Sequence, residues 1–86
     1  MHYCYIVKCN DSTLYCGYTN NLEVRIFNHN NKKSGAKYTR IRRPVELVYF
    51  ESFLTKKEAL KREYIIKKLT RIKKLELIYE SIQSKL

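Results

Sequence analysis

The feature that most constrains this chain is its first thirty residues, where two runs of β-forming residues precede a helix signal. Residues 2 to 8 are rich in tyrosine, isoleucine and valine, and turn-forming residues 10 to 12 follow them. A second run over residues 13 to 18 completes a predicted β-hairpin. Gly17 ends this run, and its missing side chain permits a close backbone approach or an unusual dihedral angle.

A helix is predicted over residues 21 to 31, and its first turn carries a capping signal. Asn20 or Asn21 begins it, and Asn20 with Glu23 three positions later resembles a capping box. Arg25 and His29 follow four residues apart, so they share one face of the helix. We expect both at the rim of the core, beside the apolar stripe formed by Leu22, Ile26 and Phe27.

The remainder of the chain contains one more strand signal and two more helix signals. Residues 45 to 51 have the composition of a strand. Thr55 opens a second helix that extends to about residue 68, and Thr70 caps a third over residues 70 to 82. With 86 residues and no visible linker or repeat, we predict a single domain over residues 1–86.

The formal net charge of +10 is the strongest compositional signal, and it favours a polyanionic partner. DNA, RNA and an acidic membrane surface all fit this charge, and a ribosome-associated or merely soluble basic protein is the alternative. Three cysteines without a leader segment indicate reduced thiols rather than disulfides or a zinc site. No apolar stretch approaches the length of a membrane span, so we predict a cytoplasmic protein with no membrane association.

Basic side chains concentrate in two segments that are candidates for nucleic-acid binding. The first segment is read as a loop over residues 32 to 43, where Tyr38 is available to stack on a base or sugar. A solvated loop without such a role is the alternative. The second segment begins the third helix. The candidate residues are Lys32, Lys33, Lys37, Tyr38, Arg40, Arg42, Arg43, Arg71, Lys73 and Lys74.

Glu63 is a carboxylate placed by helical spacing at the edge of a buried face. It lies four residues after Ala59 and three before Ile66, which are both apolar. The simplest reading is an ion pair with Lys67 one turn later, an interaction of only a few tenths of a kcal/mol. A functional role for Glu63 requires more than this spacing.

Taken in order, these residues resemble the GIY-YIG nucleases, in particular the small stand-alone YhbQ/YazA-like bacterial members. Residues 3 to 5 and 15 to 17 resemble the family's two motifs, although the glycine and isoleucine of the first are replaced. The likeness continues through residues 35 to 40, 43 to 51 and 59 to 64. The resemblance implies an α+β fold with a small three-stranded antiparallel sheet flanked by three helices.

The same resemblance implies an active site and a cofactor. It points to Tyr5, Tyr15, Arg25 and His29 as catalytic residues and to Glu63 as the ligand of Mg²⁺ or Mn²⁺. Tyr5 would be the general base, with cationic neighbours favouring its phenolate, and Tyr15 would position water or phosphate. Arg25 would hold the scissile phosphate, and His29 would hydrogen-bond a motif tyrosine or the phosphate.

The predicted function is metal-dependent hydrolysis of DNA phosphodiester bonds, with structure-specific or repair-related cleavage left open. The resemblance thus favours DNA over RNA as the partner. The alternative is a non-catalytic DNA- or RNA-binding module on the same fold, because the chain carries no separate recognition domain. A peripheral membrane protein is disfavoured, since the helix patterns lack a large apolar face beside the basic one. Nothing in the sequence indicates a protein partner.

Overall fold

The computed structural model describes residues 1–32 and 36–84 as a three-stranded antiparallel sheet with helices on both of its faces. This confirms the predicted α+β fold class. The strand order is β2-β1-β3, so β1 is the central strand. The elements are β1 (His2–Lys8), β2 (Leu14–Thr19), α1 (Leu22–Asn31), α2 (Lys37–Arg40), β3 (Glu46–Phe53), α3 (Lys56–Lys67) and α4 (Arg71–Gln83).

Strand β1 is buried on both faces because its side chains alternate between two separate clusters. Cys4 and Ile6 pack with Ile66 of α3, and we call this side the α3 face. Tyr5 and Val7 point the opposite way, and we call their side the α1 face. The partly buried side chains that cover the α1 face are Tyr15, Leu22, Ile26 and Leu47.

The cap of α1 is Asn21, the second of the two predicted positions. The Asn21 side chain accepts a hydrogen bond from the Val24 backbone N–H at 3.1 Å, so the predicted capping box of Asn20 with Glu23 is wrong. The two adjacent asparagines carry the same chemistry, and the hydrogen bond from the Asn21 backbone to the Thr19 hydroxyl selects the second. Phe27 is exposed, so it does not belong to the buried stripe.

The caps of the two later helices are confirmed. The hydroxyl oxygens of Thr55 and Thr70 accept from the backbone N–H groups of Glu58 and Lys73, each at 3.2 Å. Each bond satisfies one of the unpaired donors at a helix N-terminus. Of the helices in the described part of the chain, none combines the length and apolarity needed to cross a membrane.

The segment predicted as a basic loop contains the short helix α2 in its described part. Residues 33 to 35, which include Lys33, lie outside the described residues. Hydrogen bonds join α1 to the C-terminal end of this segment and to Val45 just after it. The Asn30 side-chain amide donates to the Val45 carbonyl at 3.1 Å and accepts from the Val45 N–H at 2.7 Å. Arg43 donates to the carbonyl of His29, near the end of α1.

Candidate active site

Gly17 makes room for the side chain of Tyr5. The two residues are direct partners across β1 and β2. A Cβ built on Gly17 would lie 2.4 Å from the Tyr5 hydroxyl oxygen and 2.6 Å from its Cζ, which is closer than any real Cβ contact. The close approach predicted at Gly17 is therefore present. Gly17 lies within β2 rather than at its end, and its φ is not positive.

The Tyr5 hydroxyl is fully buried and lies between two side chains of α1. Arg25 donates to it through Nε at 3.2 Å, and His29 Nε2 is 2.6 Å away. Arg25 and His29 are one helical turn apart, so both reach the same hydroxyl, as their spacing indicates. Arg25 is half-buried, whereas His29 is fully buried rather than at the rim.

Thr39 explains why His29 is buried. This threonine of α2 is itself fully buried, and its Oγ1 lies 2.7 Å from His29 Nδ1. The Thr39 hydroxyl donates to the Ala36 carbonyl at 2.9 Å. Thr39 was not among the predicted site residues because its segment was read as a loop. Its position within residues 35 to 40, which carry part of the family resemblance, could have indicated a role.

Burial sets the protonation states of both groups at neutral pH. It raises the pKa of Tyr5 to about 12, against an opposing effect of the hydrogen bond and charge of Arg25. It lowers the pKa of His29 to about 4, and the charges of Arg25 and Arg43 add to that effect. Tyr5 is thus a neutral phenol and His29 a neutral imidazole. Burial thus opposes the predicted Tyr5 phenolate more strongly than Arg25 favours it.

Tyr15 completes the group on the α1 face. Its ring lies edge-on to the His29 ring with centroids 5.5 Å apart, and it stacks on Tyr38 at 5.8 Å. The Arg42 guanidinium lies 3.9 Å from the centroid of Tyr38. Tyr38 therefore already has two stacking partners within the protein. Stacking of Tyr38 on a nucleic-acid base remains a prediction.

Glu63 approaches β2 from the α3 face. Its backbone carbonyl accepts from the Cys16 thiol at 3.9 Å, and Cys16 points away from the face that carries Tyr15 and Gly17. Its carboxylate forms the predicted ion pair with Lys67 at 3.7 Å, with 19% of the side chain exposed. The structure thus brings four predicted site residues together and places the fifth on the other side of the outer strand β2.

The predicted basic residues are in different environments. Arg42 pairs with Asp11 at 3.1 Å, and Arg43 donates to backbone carbonyls at the end of α1. Lys73 pairs with Glu76 at 3.7 Å. The exposed side chains are those of Lys32, Lys37, Arg40, Arg71 and Lys73, while Lys74 is half-buried. The α2 residues and the α4 residues belong to helices on different sides of the sheet.

The three cysteines are buried free thiols. Cys4 and Cys16 lie with their sulfur atoms 3.8 Å apart on the α3 face. The hydrogen bond between them and burial raise the pKa of Cys4 well above its usual range. Cys9 packs separately on the α1 face. All three are therefore interior residues, and their reduced state stays a prediction.

The chain matches a known family over most of its length. The GIY-YIG catalytic domain matches residues 1–76, so the chain belongs to the GIY-YIG family. Domains of this superfamily are generally nucleases, and they typically use divalent metals. The predicted resemblance is confirmed at this level.

Individual relatives narrow the comparison to the YazA-like branch. The UPF0213 protein YazA of Bacillus subtilis is 56% identical over 84 residues, which cover 98% of this chain and 84% of that protein. The UPF0213 protein SERP0126 of Staphylococcus epidermidis is 62% identical over 79 residues, covering 92% and 95%. The solution structure of protein EF2693 from E. faecalis superposes with a TM-score of 0.63 at 43% identity, covering 95% and 86%. Their designations state no activity.

Proposed function

We propose that this protein is a divalent-metal-dependent endonuclease that hydrolyses DNA phosphodiester bonds. The observation that carries the proposal is the position of the Tyr5 hydroxyl between the Arg25 guanidinium and the His29 imidazole. Hydrolysis requires a proton acceptor for the attacking water and positive charge for the phosphate. This one cluster offers both.

Tyr5 acts as a relay rather than as a stored phenolate, because its pKa is raised to about 12. The attacking water gives its proton to the Tyr5 oxygen while Tyr5 gives its own proton to His29. The water oxygen bonds to phosphorus, and the bond from phosphorus to the leaving oxygen breaks. Tyr5 ends as a neutral phenol, His29 as an imidazolium, and the leaving oxygen takes a proton from solvent.

Arg25 has two roles in this scheme. It donates to the Tyr5 oxygen, and this fully buried oxygen must be uncovered before water can reach it. We assign the uncovering to Arg25, which exchanges its contact with Tyr5 for the incoming phosphate. A guanidinium binds two phosphate oxygens through its planar fork. The half-buried Tyr15 then positions the water or phosphate through its hydroxyl.

Glu63 is the residue we assign to the metal. Within residues 1–32 and 36–84, no three His, Cys, Asp or Glu side chains form a group that could hold a metal ion. A single carboxylate still fits Mg²⁺ or Mn²⁺, since Mg²⁺ usually keeps several waters and takes oxygen ligands from substrate phosphate. When bound, the ion supplies charge neutralisation at the phosphate and at the leaving oxygen. Because β2 is an outer strand, only this one strand separates the α3 face at Glu63 from the α1 face at Tyr15.

DNA binding is assigned to the exposed cations beside the site. Lys32 is the C-cap of α1, and Lys37 and Arg40 lie on α2 together with Thr39, so these charges lie on or near the segment that covers His29. Phosphate neutralisation by such residues is independent of base sequence and sensitive to salt. Recognition of a DNA shape is therefore a better expectation than recognition of a base sequence.

A non-catalytic nucleic-acid-binding module is the second candidate. The observation that favours it is the ion pair between Glu63 and Lys67 on the α3 face, which needs no metal to explain the carboxylate. This module would bind DNA with the same salt dependence and would not cleave it. Only a cleavage assay separates the two.

The test is incubation of the protein with labelled single-stranded, flap, junction and damaged duplex DNA, each with Mg²⁺, Mn²⁺ or EDTA. Tyr5→Phe should lower cleavage by about a thousandfold, because only the relay hydroxyl is removed. Tyr79→Phe, at an exposed tyrosine of α4, is the matched control and should match the wild type. Binding without cleavage of any substrate, or cleavage retained by Tyr5→Phe, would reject the nuclease assignment.

A further inference from the structure

Thr39 is a buried polar group that the proposed mechanism does not yet use. It lies on the single turn of α2 and has no exposed surface. A threonine in such a place commonly bonds only its own helix. Here its hydroxyl oxygen lies within hydrogen-bonding distance of both the Ala36 carbonyl and the His29 ring.

The direction of the two hydrogen bonds of Thr39 follows from the Ala36 carbonyl, which can only accept. The Ala36 carbonyl has no proton, so the Thr39 hydroxyl donates to it at 2.9 Å. The Thr39 oxygen then has only lone pairs for His29 Nδ1, which lies 2.7 Å away, so Nδ1 carries the ring proton. A neutral imidazole has a single N–H, and its Nε2 is therefore an acceptor.

The same reasoning sets the hydrogen bond at the other end of the ring. With Nε2 as an acceptor, the Tyr5 hydroxyl donates to it across 2.6 Å. The Tyr5 oxygen in turn accepts from Arg25 Nε. In the other tautomer, the Thr39 hydroxyl would turn from the Ala36 carbonyl to donate to Nδ1, and Nε2–H would donate to the Tyr5 oxygen. The buried Tyr5 oxygen would then accept from both His29 and Arg25, and its own O–H would lose its acceptor, which is costly for a buried group.

We infer that Thr39 is a positioning residue that holds His29 as the Nδ1–H tautomer, so that Nε2 can take the proton of Tyr5. The inference rests on the proposed function, in which Tyr5 relays a proton. Thr39 touches neither substrate nor the reacting atoms. After the transfer, the imidazolium still donates its Nδ1–H to Thr39, so the same contact serves the neutral and charged forms of His29.

The first experiment reads the tautomer and needs no enzymatic activity. Ring ¹⁵N shifts and long-range ¹H–¹⁵N couplings of His29 in the full chain at neutral pH should show protonation at Nδ1. Thr39→Val keeps the shape and removes the hydroxyl, so its His29 should populate the Nε2–H tautomer. Thr39→Ser restores the oxygen and should restore the wild-type pattern. Where Thr39→Val does not fold, Thr39→Ala takes its place.

The second experiment measures cleavage by the same variants. Thr39→Val should lower kcat by about ten- to a hundredfold with the KM for DNA within about twofold, which is the range expected for a misdirected general base. Thr39→Ser should stay within about threefold of the wild type. Equal loss in both variants would indicate a structural role and overturn the inference.

The two experiments test the inference and the proposed function separately. A wild-type His29 protonated at Nε2, or a Thr39→Val protein that keeps the Nδ1–H tautomer, overturns the inference whatever the enzyme does. A wild-type protein that cleaves nothing overturns the proposed function, while its ¹⁵N spectrum still decides the tautomer.

Discussion

Both faces of the sheet contain fully buried side chains, but these side chains differ in polarity between the two faces. On the α3 face, the thiol and aliphatic side chains of Cys4, Ile6 and Ile66 pack against one another. On the α1 face, the centre is a chain of hydrogen bonds that runs through Tyr5, His29 and Thr39. Each polar side chain on that face has a partner, as burial requires. One strand therefore supports a packing layer on one side and reactive groups on the other.

The difference indicates that changes on the two faces have different consequences. A change on the α3 face alters packing, which lowers stability and leaves the chemistry of folded molecules intact. A change on the α1 face breaks a chain in which each group sets the proton position of the next. Glu63 is an exception to this division, because it lies on the α3 face and is nevertheless assigned a role in metal binding.

Glu63→Ala should give the largest effect. Loss of the only assigned metal ligand should lower metal-dependent cleavage by about a thousandfold or more, with DNA binding unchanged or slightly tighter because a negative charge is removed. Lys67→Ala breaks the same ion pair and is the matched control. Cleavage rates and DNA affinities of both variants are the measurements. Equal, small effects in the two would leave Glu63 a purely structural residue.

Gly17→Ala and Cys16→Ala compare adjacent residues of β2 that point to opposite faces. The added methyl of Gly17→Ala would meet the Tyr5 hydroxyl at 2.4 Å, so we expect cleavage to fall by about a hundredfold through displacement of Tyr5. Cys16→Ala removes a buried thiol, so its free energy of unfolding should fall by about 1 kcal/mol with kcat unchanged. The measurements are single-turnover rates and urea titrations. A Gly17→Ala enzyme with the wild-type rate would contradict the close approach.

The pH dependence of stability should report His29. Its pKa is near 6.5 in an unfolded chain and is lowered to about 4 in the folded protein. Between these values the unfolded chain binds more protons, so the free energy of unfolding falls as the pH drops through this window. At about 1.4 kcal/mol for each pKa unit, the full loss is about 3 kcal/mol.

Urea unfolding of the wild type at pH 7, 5.5 and 4 measures this loss. His29→Gln should flatten the profile within this window, and His2→Gln is the control for loss of a histidine. An unchanged profile for His29→Gln would show that His29 is not buried as described.

Arg40→Glu should give the smallest effect. Arg40 is exposed beside the buried Thr39, so reversing its charge should weaken binding to all DNA sequences by several-fold and reduce the salt dependence of affinity. Lys57→Glu, on α3, makes the same change in net charge and is the control. Arg42→Glu should also weaken binding, but it breaks the ion pair with Asp11 as well. Salt-independent affinity would contradict a phosphate-based interface.

Local signals in the sequence were sufficient for most of the fold and for part of the site. The threonine caps and the alternation of Cys4 and Tyr5 are encoded within a few residues, so they were predictable. The four-residue spacing of Arg25 and His29 likewise predicted that they act together.

The features that were missed depend on long-range packing. A single turn such as α2 has no periodicity to read, and its position depends on contacts with α1 such as that of Thr39 with His29. The burial of His29 depends on Thr39, ten residues away, and therefore could not be read from α1 alone. Helical spacing placed Glu63 at the edge of a buried face, but it does not specify which sheet face that helix covers.

The glycine opposite Tyr5 also bears on how the strands find their alignment. Hydrophobic patterning fixes register only where one face of a strand is polar, and β1 is buried on both faces. A slip of two residues would keep every side chain on its own face and bring Tyr15 or Thr19 opposite Tyr5. Only Gly17 leaves space for the phenol. Gly17 therefore disfavours the misaligned hairpins, because any other residue opposite Tyr5 would clash with its ring. The native register is set by this steric constraint, since burial alone does not distinguish the registers.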